Sequence, residues 1–312
     1  MTPIDSALPT VGVVGLGIMG MPMAGHVRTA GFRTLGVIRN PARAARAAEL
    51  GIELVVDPAA LGAEADIVLT VLPDSPDVRE VLFGERGAAS TLRPGTLVID
   101  ASTISPEAAT LLGKDLAALG IGFVDAPISG GEAGAIGGSL AVMVGGSASD
   151  VAQAMPILET FGGLIRHVGP SGSGQIVKVA NQILVAGHLA LTAEALTLLH
   201  KADINLDAAV ALLGSGLAAS RVLERKSGAM RAADFTPGFR LELHRKDLRI
   251  AMATVAALGT ASPLGSVAAE LIEQLCRDGF GSEDHSAIVR VVAEQSGLTL
   301  PFTPPTNRKE SA

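Results

Sequence analysis

Residues 11–31 read VGVVGLGIMGMPMAGHVRTAG, and this stretch decides the fold. A short apolar run, Val11 to Gly15, reads as a strand. Gly15, Gly17 and Gly20 follow in the G-x-G-x-x-G spacing, and Met19 to Ala30 then reads as a helix stopped by Gly31. Strand, glycine turn and helix in that order are the context the spacing needs in order to signify dinucleotide binding. Gly15 permits the tight turn, Gly17 lets the backbone approach a pyrophosphate, and Gly20 lets helix and strand pack closely. The free N–H groups and dipole of the helix N-terminus favour phosphate. Gly15, Leu16, Gly17, Ile18, Met19 and Gly20 are therefore the expected phosphate-binding segment.

Outward from this turn, strand and helix signals alternate. Phe32–Ile38 is a second strand and Pro41–Leu50 a helix; Ile52–Val56 is a candidate third strand. Asp66–Leu72 and Thr96–Asp100 are apolar strands, with helices at Pro76–Phe83 and Pro106–Leu119. The pattern predicts α/β architecture with a doubly wound parallel sheet. Ligands in such sheets bind beyond the carboxyl ends of the strands. At the tip of the second strand stand Arg39 and Asn40 with no carboxylate, which favours the 2′-phosphate of NADP over the ribose hydroxyl of NAD, with NAD still possible. Alternatively, Arg39 only covers the sheet edge. Leu72-Pro73 and Asp100-Ala101-Ser102-Thr103 are further loops of this kind. Thr103 suits a nicotinamide contact, but Ser102, Thr103 or Ser105 equally suits capping the helix that starts at Pro106.

Phe123–Gly146 reads FVDAPISGGEAGAIGGSLAVMVGG. Ser129-Gly130-Gly131 lies in a glycine-rich loop whose converging N–H groups suit a carboxylate; a plain hairpin loop is the other reading. Ser139–Val144 returns as a strand. After a hinge at Pro170–Gly174 comes a long apolar helix with one lysine, Lys178, one turn in, and Asn181 and Gln182 on the same face. A lysine there is costly to desolvate unless it snorkels to water. Beyond it strands disappear and helical periodicity runs on. The expected domains are thus a tail at 1–10, a dinucleotide-binding domain at 11–168, an all-α domain at 169–297 joined by the long helix, and a tail at 298–312. Sites often lie between domains, and Lys178 sits at that seam.

The 312 residues are 48% hydrophobic and 18% charged, which suits two globular domains. A net charge of −7 with no basic run excludes nucleic acid as an expected partner. One cysteine, Cys276, excludes a disulfide framework and a Cys-rich metal site, and no histidine spacing suggests a metal ligand set. No signal peptide is apparent, and no charge-free apolar run reaches the roughly 18 residues of a spanning helix. A cytoplasmic protein with no membrane partner is expected. Because the chain has no Tyr, mechanisms with a tyrosine phenol as acid are excluded.

Four motifs together are specific: GLGIMG at 15–20, DAPISGG at 125–131, GSGQIVKVANQ at 172–182 and KDLRIA at 246–251. In their order and spacing the chain resembles the β-hydroxyacid dehydrogenase family from about residue 11 to about residue 297. The stretch at 216–248 looks most like the tartronate semialdehyde reductase branch. The resemblance implies NAD(P)-dependent hydride transfer between nicotinamide and a short 3-hydroxy acid or semialdehyde. It implies Lys178 as the catalytic proton donor and acceptor, and Ser129, Gly130 and Gly131 as the carboxylate loop. Asn181, Thr103, Phe239 and Asp247 are implied as substrate contacts, with Thr103 and Lys246 touching the cofactor. A homodimer or homotetramer and a small carboxylate substrate are implied as partners. Where some members carry Asn or Asp before the NADP-associated arginine, this chain has Ile38. In oxidation Lys178 must be neutral, which needs its pKa brought from about 10.4 toward roughly 7–8 by burial, with Lys246 adding like-charge pressure if close.

Overall fold

The structure is a computed structural model, and it describes residues 8–302. The outer parts of the two expected tails, 1–7 and 303–312, lie outside the described residues. The chain divides into two compact units that meet between Lys178 and Val179.

The first unit runs β1 (Val11–Val14), α1 (Gly20–Thr29), β2 (Thr34–Val37), α2 (Ala44–Glu49), β3 (Glu53–Leu54), α3 (Pro58–Glu64), β4 (Ile67–Thr70), α4 (Ser75–Phe83), β5 (Leu97–Asp100), α5 (Pro106–Ala117) and β6 (Gly122–Asp125). It continues with β7 (Ile128–Ser129), α6 (Gly131–Ile136), β8 (Leu140–Gly146), α7 (Ala148–Leu158) and β9 (Gly162–Gly169). Strands β3-β2-β1-β4-β5-β6 are parallel neighbours in that order. The order reverses between β1 and β4, so the glycine turn after β1 lies at the switch point where ligands bind. The central strands are buried on both faces. Val11, Val13, Ile67, Leu69, Leu97 and Ile99 enter one core, and Val14, Val68 and Val98 enter the other. Burial on both faces is why these strands read as unbroken apolar runs rather than as alternation.

The sheet is not wholly parallel, as the sequence suggested. β8 runs antiparallel to both β6 and β7, and β9 joins it in parallel. A hairpin-like return after the glycine-rich turn needs no crossover helix, so antiparallel pairing is open to β8. That turn is also more structured than a loop, because α6 begins at Gly131.

Helix α8 (Ser173–Lys201) is 29 residues long. Its first turns belong to the first unit, so the compact boundary falls later than the expected 168/169. The reason is physical: the Gly172 and Gln175 amides and the Lys178 ammonium are all hydrogen-bonded to first-unit residues. By length and composition alone α8 is apolar enough to cross a membrane. However, Ala186, Leu189, Ala193 and Leu196 on one of its faces are buried in the core of the second unit, as in a core helix of a globular protein. That unit adds α9 (Leu206–Ser215), α10 (Arg221–Ala232), α11 (Leu241–Ala257), α12 (Pro263–Arg277) and α13 (Val289–Gln295). Its core extends past the point where a tail was expected, since Leu298, Leu300 and Phe302 pack on it.

Candidate active site

The glycine turn shows what each glycine is for. Gly15 has φ +103°, and a Cβ there would overlap the Val71 carbonyl. A Cβ on Gly20 would overlap the Gly15 carbonyl, so this glycine closes the turn against α1. Around Gly17, by contrast, nothing lies within 4 Å of the Cβ position. An open approach to backbone at the head of α1 is the space a pyrophosphate needs, and the residues present fit a dinucleotide. Leu16 is buried, so only its backbone is available to a ligand; Ile18 is exposed. At the end of β2, the Arg39 side chain is 82% exposed and 4.0 Å from Asp77 Oδ1. Asn40 spends its side-chain oxygen on the Ala42 amide at 3.0 Å, capping a short turn.

The loops after β4 and β5 are tied together. The Leu72 amide donates to Ser102 Oγ at 2.9 Å, and Ser105 Oγ accepts from the Ala108 amide to cap α5. Ser105 therefore takes the capping role that the sequence left open among Ser102, Thr103 and Ser105. Gln175, on α8, holds the Thr103 loop from both sides. Its Oε1 accepts from the Ile104 amide at 3.2 Å and its Nε2 donates to the Ser102 carbonyl at 2.8 Å. Sequence reasoning missed Gln175; its position three residues before Lys178, on the same helix face, was the available signal.

Lys178 is not a snorkeller. It is only 7% exposed, and its Nζ donates to the Ile128 carbonyl at 2.8 Å. Ile128 immediately precedes Ser129-Gly130-Gly131, where the backbone turns at φ +144° and +67° through the two glycines. A buried ammonium thus stands beside the turn expected to hold a carboxylate. Below it, β5 and β6 end in two buried carboxyls at matching register, Asp100 and Asp125. Burial pushes Asp100 up to about 6 against the opposing hydrogen bonds from Ser102 and Thr70, with Asp125 adding to the rise. Burial also pushes Asp125 above the usual carboxylate range, against the pull of the Gly172, Gln175 and Gly174 amides.

In the second unit, four expected or neighbouring residues form one chain. Asn181 Nδ2 donates to Gln182 Oε1 at 2.7 Å, Gln182 Nε2 donates to Asp247 Oδ2 at 2.6 Å, and Lys246 Nζ lies 2.7 Å from Asp247 Oδ1. Asp247, implied by the resemblance to line the closed cleft, is 4% exposed and engaged at both oxygens. Phe239 is half-buried over two histidines, His244 and His285, whose Nδ1 atoms are 3.3 Å apart. The sequence reading scattered these histidines, which are far apart in the chain; the fold pairs them. Burial and His244 hold His285 below its ordinary value, while the coulombic pull of Asp284 opposes them. His26 has Nε2 within 3.1 and 3.0 Å of the Ala135 and Ile136 carbonyls, so it ties α1 to α6.

An open glycine turn at the sheet switch point and a desolvated lysine beside a second glycine turn suit a dinucleotide-dependent oxidoreductase. Comparison with known proteins makes the class specific. Residues 10–169 match the NAD binding domain of 6-phosphogluconate dehydrogenase, and residues 172–292 match the NAD-binding region of NADP-dependent 3-hydroxyisobutyrate dehydrogenase. The chain is 37% identical to 2-hydroxy-3-oxopropionate reductase of Escherichia coli K12, over 90% of this chain and 96% of the relative. It is 36% identical to L-threonate dehydrogenase of the same strain, over 93% and 96%. The solved structure of Mycobacterium tuberculosis 3-hydroxyisobutyrate dehydrogenase with L-serine superposes with a TM-score of 0.84 at 34% identity, covering 91% of this chain and 99% of that one. The chain belongs to the β-hydroxyacid dehydrogenase family of NAD(P)-dependent oxidoreductases.

Proposed function

We propose that the protein reduces 2-hydroxy-3-oxopropanoate (tartronate semialdehyde) to glycerate, with NADP(H) as the preferred cofactor and Lys178 as the proton donor. The observation that carries this reading is the buried Lys178 ammonium, held at 2.8 Å by the Ile128 carbonyl next to the Ser129-Gly130-Gly131 turn. The nicotinamide would supply the hydride. As negative charge builds on the substrate aldehyde oxygen, Lys178 stabilises it and passes its proton to that oxygen, giving the hydroxyl of the product. Ser129 and the amides of Gly130 and Gly131 hold the substrate carboxylate, and Asn181 orients the reacting carbon. Gly15, Gly17 and Gly20 hold the pyrophosphate, and Arg39 pairs with a 2′-phosphate.

The choice of substrate is supported by the 37% identity to 2-hydroxy-3-oxopropionate reductase and by the resemblance of residues 216–248 to that branch. A second reading within the class is 3-hydroxyisobutyrate or another 3-hydroxy acid. It is favoured by the solved relative named with L-serine, which is itself a 3-hydroxy acid. We read the enzyme as cytoplasmic and as a homodimer or homotetramer. In support of self-association, α8 exposes Leu184, Leu191 and Leu198 at seven-residue intervals along one face.

The test is a substrate panel run with NADPH and NADH: tartronate semialdehyde, methylmalonate semialdehyde and, in the oxidative direction, L-threonate. The highest kcat/KM is expected for tartronate semialdehyde with NADPH. A hundredfold advantage for either other substrate overturns the assignment.

A further inference from the structure

Asp125 ends β6 and is fully buried. Its carboxylate is spent on the start of α8: Oδ1 accepts from the Gly172 amide at 2.7 Å and Oδ2 from the Gln175 amide at 3.0 Å. Those two amides are among the helix-end donors that have no partner inside the helix. An aspartate at the N-cap position satisfies such donors from within its own chain segment. Here a strand end does so from outside, and with a negative charge set against the positive end of the helix. The approach is built into the neighbours. A Cβ on Gly145 would stand 2.5 Å from Asp125 Oδ1, and one on Gly174 2.8 Å from Oδ2.

The same segment grips α8 a second time. Three residues past Asp125, the Ile128 carbonyl takes the Lys178 ammonium at 2.8 Å, and the Ser129 turn follows directly. We infer that Asp125 is the positioning residue for Lys178: by capping α8 from β6 it sets the height of the ammonium against the Ile128 carbonyl and the carboxylate turn. The inference rests on the proton-donor reading of Lys178. A second effect follows from the charge. An ammonium one turn into a helix lies near the positive end of the macrodipole, which disfavours it, and a carboxylate at that end offsets the field. Among the described residues, the groups facing Asp125 are Asp100 from β5, backbone at Gly145 from β8, the Gly172 amide just before α8, and the amides of Gly174 and Gln175 in its first turn. Asp100 has the same sign, but its Oδ1 is committed to Thr70 and the Ser102 amide rather than to α8.

The experiment compares Asp125→Asn, Lys178→Met and the double variant, using the full enzyme with cofactor. Asp125→Asn keeps one acceptor and the side-chain shape but removes the charge. Its kcat is expected to fall at least about tenfold with cofactor KM unchanged. The acidic limb of the oxidative pH profile is expected to move down by about one pH unit. Amide hydrogen exchange at residues 172–178 should quicken. An unchanged kcat and limb in Asp125→Asn, with Lys178→Met inactive, overturns the positioning role alone. Full turnover and an intact limb in Lys178→Met instead overturn the reading of the lysine. If activity falls only in proportion to folded protein, Asp125 is merely structural and the inference fails. Should Asp125→Asn not fold, Gly145→Ala displaces the same carboxylate while keeping its charge. Its kcat and exchange protection are expected to fall together, and an unchanged kcat overturns the proposal.

Discussion

Gln182 Nε2 donates to Asp247 Oδ2 at 2.6 Å, and both side chains are at most 4% exposed. The pair joins α8 to α11 within the helical unit, and Gln182 at the same time accepts from Asn181. Removing the amide leaves a buried carboxylate oxygen short of a partner. A buried polar group stripped of its partner costs about 1–3 kcal/mol, more when it is charged. Gln182→Leu is therefore expected to lower the stability of the helical unit by at least that amount in urea unfolding. Gln182→Glu sets a second carboxylate against Asp247, so its loss should be larger at pH 8 than at pH 5.

Lys178 contributes the proton in the proposed reaction, whereas the glycine turn at 15–20 holds the dinucleotide in our reading. Lys178→Ala is expected to cut kcat by roughly a hundred- to ten-thousandfold. The Kd for NADPH, followed by nicotinamide fluorescence, should stay within about twofold. Near-normal kcat would falsify the role. Lys178→Arg should not restore turnover, because a guanidinium does not give up its proton in this pH range.

The extent to which this site was legible in the sequence depended on the range of the signal. The glycine turn at 15–20 was legible because strand, turn and helix are contiguous, and Gly15 and Gly20 each have a local steric duty. The buried strands were legible because burial on both faces leaves unbroken apolar runs. Antiparallel β8 was not, since strand direction depends on pairing partners and leaves no mark in composition. The roles of Asp125, Gln175 and Asp100 were hidden for a related reason. Gln175 acts on residues 71 and 73 positions away, and Asp125 on amides 47 and 50 positions away. No periodicity reports such contacts. His244 and His285 failed the spacing test for the same cause, being 41 positions apart yet in contact.

Arg39 decides the cofactor in our reading. Its side chain is 82% exposed, and its nearest acidic neighbour, Asp77, is 4.0 Å away, too far for a committed ion pair. A 2′-phosphate would therefore meet a guanidinium whose fork is available. Hydrogen bonds to a charged group contribute about 1.5–3 kcal/mol, or roughly ten- to a hundredfold. Arg39→Ala should lose that factor in kcat/KM for NADPH and keep kcat/KM for NADH within about twofold. Arg39→Asp should favour NADH outright. Equal losses with both cofactors would return Arg39 to the role of covering the sheet edge.

Self-association is expected to use the open face of α8. Leu184, Leu191 and Leu198 are 60%, 57% and 71% exposed and stand on one stripe. Light scattering of the native protein should give the mass of a dimer or tetramer. Leu191→Glu puts a charge in the middle of the stripe and should shift the population toward monomer with little change in helicity. A mass unaffected by Leu191→Glu would move the interface elsewhere.

Asp100 makes the stability of the first unit depend on pH. Its carboxyl is fully buried, Oδ1 accepts from Thr70 and the Ser102 amide, and Oδ2 has no hydrogen-bond partner among the described residues. Burial raises it from 3.8 to about 6. The folded-state value lies above the unfolded one, so the stabilisation from protonation is complete below about pH 3.8 and is lost as the pH rises through about 6. At higher pH the ionised, buried form costs roughly 3 kcal/mol relative to that limit. Asp125, also raised by burial, acts with the same sign. Asp100→Asn keeps an acceptor for Thr70 and Ser102 and cannot ionise. Urea unfolding from about pH 4 to about pH 8 should then show a shallower loss of stability in the variant than in the native protein. The difference should open between about pH 4 and pH 6 and stay constant above it. Parallel curves over that range would mean that Asp100 titrates alike in the folded and unfolded chains.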